Sequence, residues 1–250
     1  GTVGGPGGYQ SPRLSPDGRS VAVTIVDSQT HSADIWMLDL TNDGTSRITS
    51  DPWTDWFPVW APTGARLLFS STRVGPSTLF EKAAGGPEEE VRVTDIPVTG
   101  ILASDVSRDG SLVVATQAAS ENGYDLVTIP LNGSRSPGPL VATRFHEVQG
   151  RLSPDGRWIA YASNESGRFE VYVRPFPDGN GQWPISNGGG MQPEWREDGK
   201  ELFYLSADGR LMAAVCAGAW GVLPLAAETH VDRSLLDGAD FITTNVLGTY

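Results

Sequence analysis

The chain has 250 residues, of which 39% are hydrophobic, with 8 Trp and 8 Phe, so it can fill the core of one large domain or two small ones. Its net charge of −12, from 30 acidic and 18 basic residues, argues against nucleic acid and anionic lipid surfaces as partners. No run of about 18 apolar residues occurs, so we expect no segment that inserts directly into a membrane.

The N-terminal stretch GTVGGPGG has neither the basic nor the apolar region of a signal peptide and is expected to be a flexible lead-in. Because the chain does not begin with Met, we expect it to be a processed or excerpted piece of a longer polypeptide. Cys216 is the single cysteine, which excludes an internal disulfide and a metal cluster built from thiolates.

A repeat begins shortly after this stretch and returns along the chain. Its turn glycine occurs at Gly18, Gly64, Gly110, Gly156 and Gly199, at intervals of 46, 46, 46 and 43 residues. A period in the forties, with short β runs and turn residues in each unit, is typical of a β-propeller whose units are four-stranded blades. Helical repeats of this length need an amphipathic period of about 3.6 residues, which no unit shows.

Each unit has the pattern of a strand, a tight turn and further strands. In the unit around Gly156, Leu152 precedes a Pro-Asp-Gly turn, and an apolar run from Trp158 to Ala162 follows as the second strand. We therefore predict a single all-β domain over residues 1–250. The predicted blades span about residues 9–50, 51–95, 96–143, 144–187 and 188–222, and residues 223–250 are the predicted partial last blade.

Four segments resemble a known family: SPRLSPDGRSVAV, DWFPVWAPTGARLLFSS, RLSPDGRWIAYASNESGRFEVYVRPFP and QPEWREDGKELFYLSADGRLMA. Over about residues 9–215 the chain resembles the TolB-like, WD-repeat-like β-propellers of bacteria. It is most similar to the propellers attached to certain bacterial serine/threonine protein kinases. This resemblance implies six blades, whereas the sequence has five motifs. We therefore predict a six-bladed type with an incomplete sixth blade, and a closed five-bladed ring is the alternative.

Charged residues recur five positions before the repeat glycine, on the innermost strands near the central channel. They are Arg13, Asp105, Arg151 and Glu194, with Val59 in the remaining unit. Charges of mixed sign are unusual on packed strands, and two explanations are open. They form ion pairs inside the ring that fix the blades, or they line a channel mouth that selects a polar ligand or the terminus of a partner.

Two sets of loops share one end of a propeller: those that enter the innermost strands, and those that join second and third strands. Aromatic side chains in loops are common interface anchors, so we predict a partner-binding site from Trp53, Trp56, Tyr124, Phe145 and His146. Trp53 is expected to be exposed, whereas Trp56 is either part of this surface or a plug between blades.

Motifs of common enzymes are missing from the sequence. It has no H-R-D or D-F-G kinase motif and no G-x-S-x-G hydrolase motif, and its three histidines lack the spacing of metal ligands. We therefore predict no catalytic residue, no metal and no cofactor, and a protein that is not an enzyme.

The function predicted from these observations is a protein-binding β-propeller. It serves as a sensor, scaffold or accessory subunit of a larger bacterial assembly, and it binds another protein or other segments of its parent polypeptide. An extracytoplasmic, periplasmic location is favoured over the cytoplasm. The alternative is a propeller that binds a glycan or small molecule through the charged channel residues. Asp105 and Glu194 would then do acid–base work if their carboxyl groups lay about 5 to 10 Å apart.

Overall fold

The computed structural model describes residue 4, residues 7–94, 100–119, 123–178 and 180–216, and the backbone of Thr229–His230. All regular secondary structure in this part of the chain is β-strand, arranged in five antiparallel sheets of four strands each. Strands that follow each other in the chain are hydrogen-bonded neighbours within every sheet. The sheets are the blades of a β-propeller, and the first strand of each blade is the innermost.

The strands of each sheet run outward in chain order. The first sheet consists of β1 (Gly8–Leu14), β2 (Ser20–Val26), β3 (Ala33–Asp39) and β4 (Thr45–Arg47). The second consists of β5 (Asp55–Trp60), β6 (Arg66–Ser71), β7 (Thr78–Ala83) and β8 (Val91–Arg92). The third consists of β9 (Ile101–Val106), β10 (Leu112–Ala119), β11 (Gly123–Pro130) and β12 (Gly138–Val141).

The last two sheets have the same plan. The fourth consists of β13 (Glu147–Leu152), β14 (Trp158–Ser163), β15 (Glu170–Pro175) and β16 (Trp183–Pro184). The fifth consists of β17 (Gly190–Trp195), β18 (Glu201–Ser206), β19 (Leu211–Val215) and β20 (Thr229–His230).

The turn between the first two strands explains why the phrase Ser-Pro-Asp-Gly recurs. In the fourth blade, Gly156 has a φ of 68°, which favours glycine, and its N–H donates to the carbonyl of Ser153 at 2.8 Å. The Ser153 hydroxyl donates to Asp155 at 2.6 Å and accepts from the N–H of Trp158 at 3.0 Å. One serine thus bonds to both sides of the turn and leads the chain directly into the buried second strand.

Neighbouring blades are joined through their innermost strands. Each innermost strand from β5 to β17 packs on the first three strands of the preceding sheet. Trp60 of β5 is buried in a cluster with Ala22 of the first sheet, and its indole N–H donates to the carbonyl of Arg13 at 2.9 Å. Trp195 of β17 makes the same bond to the carbonyl of Arg151 at 3.1 Å. Burial of such a side chain contributes on the order of 2–3 kcal/mol.

The first and fifth blades meet in a different way. β1 does not pack on the described strands of the fifth sheet as the other innermost strands pack on their neighbours. Leu14, which has on β1 the place that Trp60 has on β5, is 60% exposed, whereas Trp60 is buried. Apolar packing therefore joins four successive pairs of blades, but not the described strands of the fifth and first blades.

The predicted number of blades needs correction. The described residues form five blades, so the five-bladed alternative fits better than the predicted six. The predicted partial blade at residues 223–250 lies outside the described residues, except for the backbone of Thr229–His230. Those two residues pair with Met212 and Ala213 as the fourth strand of the fifth sheet, beyond the predicted end of that blade at residue 222.

Candidate functional site

Three of the four charged residues predicted near the channel lie together. They occupy the ends of the innermost strands next to the Ser-Pro-Asp-Gly turns, which we call the turn end of the ring. One carboxylate oxygen of Glu194 accepts hydrogen bonds from Arg13 and from Arg151, each at 2.8 Å. Val59, at the corresponding place on β5, is buried in an apolar cluster with residues such as Ile101. The charged group thus connects the first, fourth and fifth blades.

Asp105, the fourth charged residue, is bonded mainly to backbone. Its carboxylate accepts from the N–H of Leu152 at 2.8 Å and from the N–H of Val106 at 2.9 Å. Burial raises the pKa of Asp105 to about 7, and the negative charge of Glu194 also raises it, while the two N–H groups and the charge of Arg13 act in the opposite direction. Both carboxylates are therefore occupied by groups of the protein itself, which favours a role in joining blades over acid–base chemistry.

Glu194 also has a shifted pKa. The innermost strands shield part of the Glu194 side chain from water, which raises the pKa of its carboxyl although the side chain is 50% exposed, and the positive charge of Arg13 lowers it. The two guanidinium groups on one carboxylate oxygen nevertheless stabilise the ionised form.

The other end of the ring is formed by the loops before the innermost strands and the loops between second and third strands, and we call it the loop face. Trp53 lies there and is 47% exposed, and its N–H donates to the Asp51 carboxylate at 3.0 Å. Trp56 is half-buried, and its indole N–H donates to the hydroxyl of Ser77 at 3.3 Å. That hydroxyl donates to the carbonyl of Ile101 in the third blade at 3.0 Å. Trp56 therefore takes part in the contact between blades, whereas Trp53 is open to solvent.

The remaining predicted aromatic residues lie where the third and fourth blades meet. The ring of His146 lies 5.8 Å from that of Tyr124 and 6.2 Å from that of Phe169. Tyr124 is 41% exposed. Phe145 is covered by the guanidinium of Arg144, 4.9 Å from its ring centre. Phe169 was not predicted, because it precedes β15 and comes close to His146, which precedes β13, only in the folded blade.

A network of ion pairs centred on Arg73, on the loop face, was also missed by sequence reasoning. The guanidinium of Arg73 forms an ion pair with Asp51 at 2.7 Å and donates to Asp55 at 3.1 Å. It lies over the ring of Phe80, 4.5 Å from the centroid, and forms an ion pair with Glu90 at 3.4 Å. Asp55 is completely buried, and burial raises the pKa of its carboxyl, while hydrogen bonding to Ser71 and the charge of Arg73 lower it. No sequence spacing relates Arg73 to these partners.

A cavity of about 410 Å³ lies at the turn end, between the fourth and fifth blades. Its lining includes Arg108, Asp155, Trp158, Trp195, Lys200 and Cys216. Burial raises the pKa of the Cys216 thiol to about 11, so this thiol stays protonated at neutral pH and is a poor nucleophile.

Metal clusters and membrane-spanning helices are both missing from the described part of the chain. No group of three or more His, Cys, Asp or Glu side chains there is arranged to hold a metal ion. The same residues include no helix with the length and apolar character needed to cross a membrane.

Comparison with peptidases contradicts the prediction that the protein is not an enzyme. Over 153 residues the chain is 22% identical to the uncharacterized peptidase YuxL of Bacillus subtilis, a match that covers 61% of this chain and 21% of that protein. It also superposes on a puromycin-hydrolyzing peptidase of Mycobacterium tuberculosis with a TM-score of 0.60 and 17% identity, over 84% of this chain and 37% of the other. The chain thus spans about a fifth of YuxL, and the relatives include enzymes.

The fold itself has a well-matched counterpart. No family model matches the chain. The structure superposes on a putative TolB from Agrobacterium tumefaciens with a TM-score of 0.73 and 18% identity, covering 86% of this chain and 79% of that one. These comparisons do not concern the propellers of protein kinases, so that finer resemblance stays a prediction. The chain has the fold of the TolB-like β-propellers.

Proposed function

We propose that this chain is a polypeptide-binding β-propeller whose loop face recognises a segment of another protein or of its own parent polypeptide. The observation on which this rests is the pair of exposed aromatic residues at one end of the ring, Trp53 on the loop before β5 and Tyr124 at the start of β11. Large aromatic side chains on otherwise polar surfaces are the usual anchors of protein interfaces. Phe145 and His146 belong to the same proposed surface.

The ring supplies the rigidity that recognition needs. The loops of the loop face connect strands that are buried between neighbouring blades, so their ends are fixed by the sheets. A loop that is held before binding loses less conformational entropy when a partner docks. The TolB-like fold is consistent with binding, but fold alone does not define function.

A second candidate is favoured by the match to YuxL. In this case the propeller belongs to a peptidase and binds the polypeptide substrate, while hydrolysis takes place in another part of the enzyme. Both candidates have a polypeptide as ligand. They differ in that the second predicts cleavage of bound peptides by the full-length parent protein.

The location of the protein belongs to the same proposal. We expect an extracytoplasmic protein, and fractionation of cells that express the parent gene tests this expectation.

A peptide library displayed on phage tests the proposed function. The library is selected on the immobilised 250-residue protein, and the dissociation constants of enriched peptides are measured by fluorescence anisotropy. The double variant Trp53→Ser/Tyr124→Ser is expected to bind about tenfold more weakly or worse, because both anchors are removed. Val91→Ser is the matched control, since Val91 is a 48% exposed apolar residue on the outermost strand of the second blade. A library that yields no binder, or equal losses in the control, would contradict the proposal.

A further inference from the structure

Two exposed apolar side chains lie on neighbouring loops at the loop end of the second blade. Trp53 precedes β5 and Val74 lies between β6 and β7, and they are 47% and 51% exposed. The loops are joined by two hydrogen bonds, because the N–H of Thr72 donates to the carbonyl of Thr54 at 3.1 Å and the N–H of Thr54 donates to the hydroxyl of Thr72 at 3.1 Å. The loops that carry the two apolar residues are therefore hydrogen-bonded to each other.

Arg73 holds these two loops in place. It directly precedes Val74, and its guanidinium forms an ion pair with the Asp51 carboxylate, which in turn accepts a hydrogen bond from the N–H of Trp53. The same guanidinium is anchored on buried Asp55 at 3.1 Å and on the hydroxyl of Ser71 at 2.9 Å. A planar guanidinium with several partners has one preferred orientation, so the positions of both loops depend on a single side chain that is 13% exposed.

Of the other exposed large apolar residues of the described chain, Leu14, Val91, Tyr124 and Val215 lie on strands, and Leu40 directly follows β3. Leu40 and Val91 are 40% and 48% exposed, and they lie at the turn end of the third strand and on an outermost strand. Tyr124 lies against the ring of His146. Trp53 and Val74 therefore combine exposure with a rigid support, which is the property of an interface hot spot.

Charge indicates what the partner carries beside its apolar residue. The carboxylate of Asp51 is more exposed than the guanidinium of Arg73 with which it pairs, 26% against 13%. The chain as a whole has a net charge of −12. A cationic segment is therefore attracted to this surface, and an acidic one is repelled.

We infer that Trp53 and Val74 form the anchor point of the loop face, which takes a bulky apolar side chain from a polypeptide segment that carries Lys or Arg next to it. Arg73 is a positioning residue for this anchor point. The inference rests on the proposed function, because it names the part of the loop face that binds and the chemistry of what it binds.

Peptides enriched on the wild-type protein by phage display are the probe. We expect them to share an aromatic or branched aliphatic residue beside Lys or Arg, and to bind about tenfold more weakly to Trp53→Ser and to Val74→Ser. Leu40→Ser and Val91→Ser, with similarly exposed apolar residues, should bind as the wild type does. Raising NaCl from about 0.05 M to about 0.5 M should weaken binding, because screening reduces the attraction of opposite charges.

The role of Arg73 needs a readout that loss of stability does not produce. Arg73→Lys keeps the charge but not the forked hydrogen bonds, and we expect faster amide exchange at residues 51–54 and weaker peptide binding in a protein that remains folded by circular dichroism. The surface variants of Trp53 and Val74 keep the test decisive if Arg73→Lys does not fold.

The outcomes separate the inference from the function on which it rests. If peptides no longer bind to the Tyr124→Ser variant but still bind to the Trp53→Ser and Val74→Ser variants, the proposed function stands and this anchor point is wrong. Enrichment of acidic peptides would overturn the assignment of partner charge. A library with no binders would contradict both proposals.

Discussion

Arg13 and Glu194 lie 2.8 Å apart although 181 positions separate them in the sequence. Arg13 is on the innermost strand of the first blade and Glu194 on that of the fifth, and Glu194 also binds Arg151 of the fourth blade. The described strands of the first and fifth sheets do not pack as other neighbouring sheets do. The ion pair therefore provides a polar link between the two ends of the described ring.

A double-mutant cycle measures this link. Because Glu194 is half exposed and Arg13 about a quarter exposed, we expect a coupling free energy of about 0.5–1 kcal/mol between Arg13→Ala and Glu194→Ala in urea unfolding. The local pair Arg157 and Asp155, which is more exposed, serves as the control and should show weaker coupling. Strictly additive effects of the Arg13 and Glu194 substitutions would show that the blades are not linked in this way.

The carboxyl of Asp105 makes the stability depend on pH. Its pKa is about 7 in the folded chain against an ordinary 3.8, so between these values the folded protein holds a proton that the unfolded chain has released. The free energy of unfolding must therefore fall as pH rises through this window. We expect Asp105→Asn to remove this component, which amounts to roughly 1–3 kcal/mol between about pH 5 and about pH 7.5. Urea unfolding of both proteins at the two pH values measures it, and identical pH dependences would contradict the environment described for Asp105.

Gly150 lies in the closely packed contact between the third and fourth blades. A methyl group on this residue of β13 would lie 2.8 Å from Val114 Cγ1 and 3.1 Å from Ile159 Cδ1. We expect Gly150→Ala to lower the free energy of unfolding by about 1–3 kcal/mol through overpacking. Gly138→Ala is the control, because no atom lies within 4 Å of the added methyl group. Thermal melts of the two variants should differ clearly, and equal melting temperatures would be evidence against close packing at this seam.

The blade pattern could be predicted from the sequence alone, because every blade contains a local turn that is recognisable from its residue types. Ser153 and Gly156 illustrate this, since the hydroxyl and the positive φ that close their turn follow from residue type. The repeat pattern contains no recognisable fourth strand for the last blade. Thr229–His230 follow β19 at a greater distance than other outermost strands follow their third strands, so the repeat gave no signal for them.

The candidate site was only partly predictable for a related reason. The exposure of Trp53 follows from its place in a polar loop, and the structure places it as expected. The support given by Arg73 depends on Asp51 before β5, Asp55 at the start of β5 and Glu90 before β8, which meet Arg73 only in the folded blade. Such contacts between loops have no period in the sequence.

Amide hydrogen exchange of the 250-residue protein, with and without a phage-selected peptide, tests the central proposal most directly. If the loop face binds polypeptide, exchange should slow at residues 51–54 and 72–77, on the two loops that carry Trp53 and Val74. Segments at the turn end, such as residues 61–65, 153–157 and 196–200, should exchange as in the free protein. Protection confined to those turn-end segments would contradict the account.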